Sequence, residues 1–284
     1  VVSDWSSDVC SSDLPKRPAN ADRLLADRQT AIMLMPIQVP NYTDFYSSIE
    51  HATNVGKMFR PDNPLLPNWR WLPVGYHGRA SSIVASGTPI RRPWGQIVPK
   101  GQETPVYAPS QQLDFELEMA FVIGKNSALG TPISVDQADE YIFGLVLFND
   151  WSARDIQRWE YVPLGPFLGK NFGSSISPWI VPLEALKPFR VKGPKQTPAP
   201  LEYLEQKGKQ QYDIQLEVAL AAGSASETVI SRSNTRYLYW SMAQQLAHHT
   251  VNGCNVQVGD LMASGTISGP VPGSYGSLLE LTWG

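Results

Sequence analysis

Apolar and polar positions alternate most sharply across residues 113–121, LDFELEMAF. A period of two puts Phe115, Leu117 and Met119 on one face of a strand and Asp114, Glu116 and Glu118 on the other. A continuous apolar run, GLVLFND, reads as a buried strand delivering Asp150 at its end, and YDIQLEVAL is a second alternating strand. The last segments, VGDLMASGTISGP and GSLLELTWG, also read as strands. Helical signals are fewer. Ser47 and Glu50 form a capping box for a helix ending before Pro61, so Asp44 and Tyr46 fall just ahead of its start and His51 in its first turn. Ser134 and Gln137 form another, opening a helix through VDQADEYIF. TRYLYWSMAQQLAHHTVNG reads as a helix closing at Asn252 and Gly253, and residues 15–30 hold a helical stretch leading into the apolar run AIMLMPIQV. Residues 62–112 are loops and short strands rich in Pro, Gly and Trp, and residues 183–212 have a linker-like content of Pro and Lys. The pattern predicts a mainly β domain with short helices.

Composition narrows the class. With 284 residues, 42% hydrophobic and 17% charged, the chain can bury one large core or two smaller ones. Its 23 basic and 26 acidic side chains leave a net charge of -3, which gives no broad basic surface for nucleic acid. The densest apolar run, Ala31 to Val39, is too short to span a bilayer and is interrupted by Pro36, so no membrane segment is expected. Only Cys10 and Cys254 are present, which excludes a disulfide framework and a cysteine zinc site and suits a reducing compartment. With four histidines besides, a metal here would be held by oxygen.

The alternating acids pose the chemical question. Two charges about 7 Å apart repel by roughly 2 kcal/mol at an effective dielectric near 20. Water on an exposed strand face would offset this, and so would a cation. Asp44, Glu116, Glu118 and Asp150 together offer the all-oxygen shell that Ca²⁺ or Mg²⁺ prefers. His51 is the candidate base, its other reading being a structural helix residue. His248 and His249 read as packing or surface residues, and His77 as a loop holder. Arg154 and Gln157, three apart, share a helical face and could donate together to an anionic centre, or form an ordinary helix surface.

The two ends look unusual. Residues 1–14, VVSDWSSDVCSSDL, have no periodicity and read either as a disordered tail or as translated adapter sequence, in which case Val1 is not the native start. The terminal strand stops at Gly284 with its partners unmade, which suggests truncation there too.

Nine segments carry a resemblance: YTDFYSS, HATNVG, LPVGYHGRASS, GTPIRRP, ELEMAF, NDWSARDIQ, WEYVPLGPFLGK, HHTVNGCN and GDLMASGTISGP. In this order, from about Asp22 to Gly284, the chain resembles the fumarylacetoacetase family, a branch of a wider group of metal-dependent enzymes acting on oxo acids. The resemblance implies a mixed β-roll or β-sandwich at 41–284, truncated at its C-terminus, behind a connector at 15–40 left from a missing SH3-like barrel. It implies an active-site Ca²⁺ on Asp44, Glu116, Glu118 and Asp150, with Asp114 outside the first shell. A second site, for Mg²⁺, would involve Asp150, Lys170 and Ser174, where the family more often has Thr. It implies substrate contacts at Tyr46, Arg60, Tyr76, Gln157, Tyr161 and Thr266, a base His51 oriented by Glu280, and charge stabilisation by Arg154, Gln157 and Lys170. The implied activity is carbon-carbon bond hydrolysis of 4-fumarylacetoacetate to fumarate and acetoacetate, the last step of tyrosine breakdown, by a cytoplasmic homodimer. Another oxo-acid hydrolase of acylpyruvate type, or an inert metal-binding fragment, remain as alternatives.

Overall fold

The computed structural model describes Asp27 and residues 30–284. The predicted tail at 1–14 and most of the predicted helix at 15–30 lie outside the described residues. The main compact unit runs from Met35 to Gly284. In the other unit, which spans Val1–Leu34, the amides of Thr30 and Ala31 bond to the Asp27 carbonyl at 3.1 and 3.0 Å.

Eight strands build the central sheet of the main unit. Numbered along the chain they are β1 (Tyr42–Phe45), β2 (Gly75–His77), β3 (Ile83–Ala85), β4 (Leu117–Ile123), β5 (Ile142–Asp150), β6 (Ser174–Ile176), β7 (Val181–Pro182) and β8 (Leu261–Ala263). Their order across the sheet is β2-β1-β8-β4-β5-β6-β3, with β7 also pairing to β5. Most neighbours are antiparallel, but β1 with β8 and β6 with β3 run parallel, so the sheet is mixed and curls into a half-barrel. The expected mainly β architecture with few short helices is borne out.

Pairing of apolar faces explains where the core lies. Leu117, Met119, Phe121 and Ile123 of β4 point into the larger cluster with Leu145, Met262, Leu246 and Trp240. The alternate positions, Ala120 and Val122, join Tyr42, Val146, Phe148, Leu261 and Ala263 in a smaller cluster on the opposite face. That second face ends in acids. Two residues on from Tyr42, before Ala120 and on from Phe148 come Asp44, Glu118 and Asp150, all buried.

Four helices matter to the site: α1 (Ile49–Phe59), α2 (Arg154–Glu160), α3 (Met242–Thr250) and α4 (Leu278–Thr282). Several expected boundaries are corrected. The cap of α1 is Ser48, not Ser47, because its hydroxyl accepts the His51 amide at 3.2 Å while Ser47 accepts from the Gln245 amide group at 2.8 Å. Asp44 is therefore a strand residue and not a helix lead-in. The Ser134–Gln137 box forms, but it opens a short 3-10 turn and one turn of helix before β5 begins at Ile142. The helix expected from Thr235 starts only at Met242, because Leu238–Trp240 spends its backbone elsewhere: Leu238 bridges to Ser48 and the Tyr239 amide bonds to the Ser47 carbonyl at 2.9 Å. The residues expected to be linker-like, 183–212, fold into short helical turns and a two-stranded ladder, Arg190–Val191 with Gln211–Tyr212.

The largest correction falls on GSLLELTWG, which is helical over Leu278–Thr282 and not a strand. Ser277 caps it through the Glu280 amide at 3.3 Å, and the Leu278 and Leu279 amides bond to Asp114 at 2.7 and 3.1 Å. Period-two alternation over so short a stretch hid an S-x-x-E helix start.

The cap that opens α3 is testable. Ser241 accepts the Gln244 amide at 3.2 Å and Gln244 returns a bond to the Ser241 amide at 3.0 Å. Replacing Ser241 with Ala should lower unfolding free energy by about 1 kcal/mol in urea denaturation. An unchanged midpoint would mean that the box adds nothing.

Candidate active site

Three strands bring four carboxylates together. Asp44 (β1), Glu118 (β4) and Asp150 (β5) end the acidic rim of one sheet face, and Glu116 precedes β4 where the chain bridges to Ser277. One oxygen of each lies within 4.8 Å of the others, and all four residues are buried. The exposed-face alternative for the alternating acids is thus excluded.

The alternation of 113–121 is broken, however. Leu113–Asp114 pairs with Ser152–Ala153 in a separate ladder, so Asp114 turns away from the quartet. It receives Arg154 Nε at 2.9 Å and the two α4 amides instead.

Two buried cations face the quartet. Lys170 Nζ lies 2.6 Å from Glu116 and 2.8 Å from Asp150. Arg154 Nη2 lies 2.8 Å from both Asp114 and Glu116, close enough for ion pairing, while Arg154 Nη1 donates to Gln157 Oε1 at 3.2 Å. The expected shared face of Arg154 and Gln157 is present. Lys170 reaches the site because Gly169 packs flush on α2, where a β-carbon would come within 2.7 Å of the Gln157 β-carbon. An ammonium group repels a cation, so the Lys170 side chain acts here as a counter-ion and not as a ligand.

Charge is unbalanced at this centre. Four carboxylates against two cations leave an excess of two negative charges, or three if Asp114 is counted. Burial, then the charge of Asp150, pushes Asp44 well above the usual carboxylate range, with Lys170 pulling the other way. Burial and the charges of Asp44, Glu116 and Asp150 do the same to Glu118. Asp150 is also raised, by burial first, with Lys170 opposing and Glu116 reinforcing. Glu116 differs: burial would raise it, but Lys170, Arg154 and His51 hold it well below its ordinary value. Asp44 Oδ1 and Glu118 Oε1 are buried without a hydrogen-bond partner. Two unpartnered oxygens, an anionic excess and an all-oxygen donor set fit a hard divalent cation.

Beside this cluster stands an acid-base pair. His51 Nδ1 lies 2.6 Å from Glu280 Oε2, and both residues are buried. Asn54, Ser268 and Ser277 also donate to Glu280, at 2.9, 2.8 and 3.0 Å. Burial alone would raise Glu280, but the charge of His51 and these bonds outweigh it and bring it down to about 2. A carboxylate on Nδ1 keeps the proton there and leaves Nε2 as the basic nitrogen. Sequence reasoning missed the three supporting donors. Asn54 carried a signal, three residues after His51 on α1, and so did Ser277, three residues before Glu280, whereas Ser268 lies in a loop that the fold brings close.

The remaining expected residues divide. Tyr46 stacks edge-on against His51 at 5.2 Å between ring centres, and its hydroxyl is pushed up by burial and by Glu116. Tyr76 donates to Asp150 at 3.1 Å, and Ser174 donates to the other oxygen of Asp150 at 2.8 Å. Thr266 is buried with its hydroxyl unpartnered, next to Gly265, whose amide donates to Glu118 at 3.0 Å. Arg60 and Tyr161 stay outside the buried cluster: Arg60 is exposed and bonds to the Pro64 carbonyl at 3.3 Å, and Tyr161 is 48% exposed. His77 and His249 have packing roles, both bonding to Thr43, at 3.3 and 3.2 Å. His248 bonds to Tyr203 at 3.0 Å.

A curled mixed sheet thus gathers four buried carboxylates that could hold a metal ion beside a histidine-carboxylate pair. The family model described as "Fumarylacetoacetate (FAA) hydrolase C-terminal" matches residues 41–280, and the chain belongs to that family. It is 60% identical over 263 residues to the fumarylacetoacetase of Bos taurus, covering 92% of this chain and 63% of that protein. It is likewise 60% identical over 253 residues to the fumarylacetoacetase of Arabidopsis thaliana, covering 88% of this chain and 60% of the relative. The chain thus spans about three-fifths of the curated relatives it matches. Among solved structures it resembles a fumarylacetoacetate hydrolase from psychrophilic Exiguobacterium antarcticum, with TM-score 0.52 and 21% identity over 82% of this chain and 65% of that one. It also resembles a fumarylpyruvate hydrolase from Pseudomonas aeruginosa in complex with Mn²⁺ and pyruvate, with TM-score 0.51 and 20% identity over 86% of both chains. These two likenesses concern the fold. Among the described residues, no helix is long and apolar enough to cross a membrane.

The charge excess makes a two-sided prediction. Asp44, Glu118 and Asp150 hold protons more tightly folded than unfolded, so above the usual carboxylate range the cation-free protein binds more protons than the unfolded chain. Its stability should therefore fall as pH rises above the usual carboxylate range, and a saturating divalent cation should remove the fall. Glu118→Gln should raise the cation-free melting temperature while abolishing the gain on adding Ca²⁺, read by calorimetry. A variant less stable without cation, or still stabilised by it, contradicts the assignment.

Proposed function

We propose that this chain carries the catalytic centre of a fumarylacetoacetase, hydrolysing 4-fumarylacetoacetate to fumarate and acetoacetate. The observation that carries the reading is the His51–Glu280 pair at 2.6 Å set beside the buried carboxylate quartet, in a chain about 60% identical to fumarylacetoacetases. We assign Ca²⁺ to Asp44, Glu116, Glu118 and Asp150, and a second Mg²⁺ position near Asp150, Ser174 and Lys170, whose side chain stays a counter-ion. When bound, the first ion supplies Lewis-acid polarisation of the substrate's dioxo group.

The protein's own groups account for the rest. Glu280 fixes the ring of His51 so that Nε2 takes a proton from water, and the hydroxide adds to the ketone carbon next to the fumaryl double bond. The carbon-carbon bond on the far side of that carbonyl then breaks, its electron pair leaves with the acetoacetate methylene, and a proton returned to this carbon completes the methyl group. Arg154 and Lys170 are fixed cations beside the reacting oxygen and the departing enolate, and Gln157 adds a neutral donor. Arg154 Nη2, 2.8 Å from both Asp114 and Glu116, is thereby held at the edge of the carboxylate cluster. Tyr46, Tyr76 and Thr266 border the same space, and Arg60 and Tyr161, more exposed, are assigned to the ends of the substrate. We take the working enzyme to be a cytoplasmic homodimer; the low cysteine content and the exposed Trp94, Tyr107, Leu164 and Phe167 support this.

Loss of fumarylacetoacetate absorbance on adding the chain and a divalent cation tests the activity. His51→Ala and Glu280→Gln should each lower kcat at least about 100-fold while leaving Mn²⁺ binding within about threefold of the parent. Preferential turnover of an acylpyruvate would overturn the substrate assignment, and activity surviving His51→Ala would overturn the base.

A further inference from the structure

Asp114 is the one buried carboxylate of the centre that faces neither the quartet nor His51. Its two oxygens divide between two other elements. Oδ1 receives the Leu278 amide at 2.7 Å; Oδ2 receives the Leu279 amide at 3.1 Å and Arg154 Nε at 2.9 Å. Arg154 Nη2 also lies 2.8 Å from Oδ2. The helix so anchored, α4, has five residues, and one of them is Glu280. So short a helix cannot hold its own position, since its amides have few intrahelical partners. Among the described contacts, its first three amides go to Asp114 and Ser277.

The geometry points to Asp114 as a positioning residue that sets the two halves of the centre in register: the helix that orients His51 through Glu280, and the guanidinium that faces Glu116. This rests on the function proposed above. Both halves hang on one carboxylate. Moving α4 shifts Glu280 against His51, where the separation is 2.6 Å, and moving Arg154 shifts the charge beside Glu116 at 2.8 Å. Displacements on the order of 1 Å at such contacts cost about 100-fold in rate. Asp114 itself needs no contact with cation or substrate to have this effect.

Two variants approach the tie from opposite sides. Asp114→Asn keeps the shape and removes the charge that both partners need. Leu278→Pro removes one tied amide without touching Asp114, at the first helical position, where proline is well accommodated. In the full 284-residue chain, both should lower kcat, Asp114→Asn by about 100-fold, with KM and Mn²⁺ affinity within about threefold of the parent. The two losses should not multiply in the double variant, because each breaks the same tie. In proton NMR, the downfield resonance of the His51 Nδ1 proton bonded to Glu280 should shift or broaden in both.

A Mn²⁺ affinity that falls together with kcat in Asp114→Asn would place the residue's role at the cation site and overturn the tie. A normal kcat and an unchanged His51 resonance in Leu278→Pro would overturn it from the helix side, including in the case that Asp114→Asn fails to fold. If the parent chain lacks turnover, the proposed function fails, and the His51 resonance then decides the tie alone: a shift in either variant supports it and no shift overturns it.

Discussion

Four buried carboxylates held within 4.8 Å of one another are the condition that the rest of this structure is arranged around. Enclosing like charges is costly, and the protein answers it only in part, with Lys170 and Arg154 crowded against Glu116 and Asp150. Glu116, between the two cations, is satisfied as an anion. Asp44 and Glu118, one oxygen each unpartnered, are not. The unresolved share of the repulsion is what an added positive charge would relieve.

The sheet makes this possible by supplying rigidity. Asp44, Glu118 and Asp150 come from three strands whose other inward residues, Tyr42, Ala120 and Phe148, are packed in a single apolar cluster. Each acid thus stands at the end of a face whose neighbouring positions are fixed by burial. The acid-base pair is built on softer ground, a helix start and a five-residue helix, and correspondingly draws more hydrogen bonds: Glu280 accepts four from side chains. Charge placement thus rests on strands, and the histidine-carboxylate pair is laced in place by hydrogen bonds between helices.

Much of this was legible in the residues. The strands through Glu118 and Asp150 carry unambiguous periodicity, and the acids stood out because a period of two left them no apolar excuse. The reading failed where local pattern and tertiary demand disagreed. Leu278–Thr282 alternates like a strand but is helical because Ser277 and Asp114 take its free amides, and the latter is more than 160 positions away. Residues 238–240 lie inside a good helical pattern yet form a bridge and a bend because Ser47 and Ser48 claim their backbone. Asp114 was grouped with Glu116 and Glu118 by spacing, and only the break at residue 115 separates them. Lys170 and Ser268 have no local signature, since their roles depend on loops meeting across the fold.

The parallel pairing of Tyr42–Phe45 with Leu261–Ala263 carries a kinetic consequence. Asn41 and Asp260, bonded at 2.8 Å, are 219 positions apart, and His51 and Glu280 are 229 apart. During synthesis, the strand bearing Asp44 waits at an open edge until almost all of the domain has emerged. Loop-closure entropy opposes its docking until then, and such non-local pairing is slow. The last strand to close the sheet also brings Asp44 to its fellow acids, so sheet closure and charge confinement coincide. A cation bound among the gathered acids would favour the completed domain over the open one by mass action.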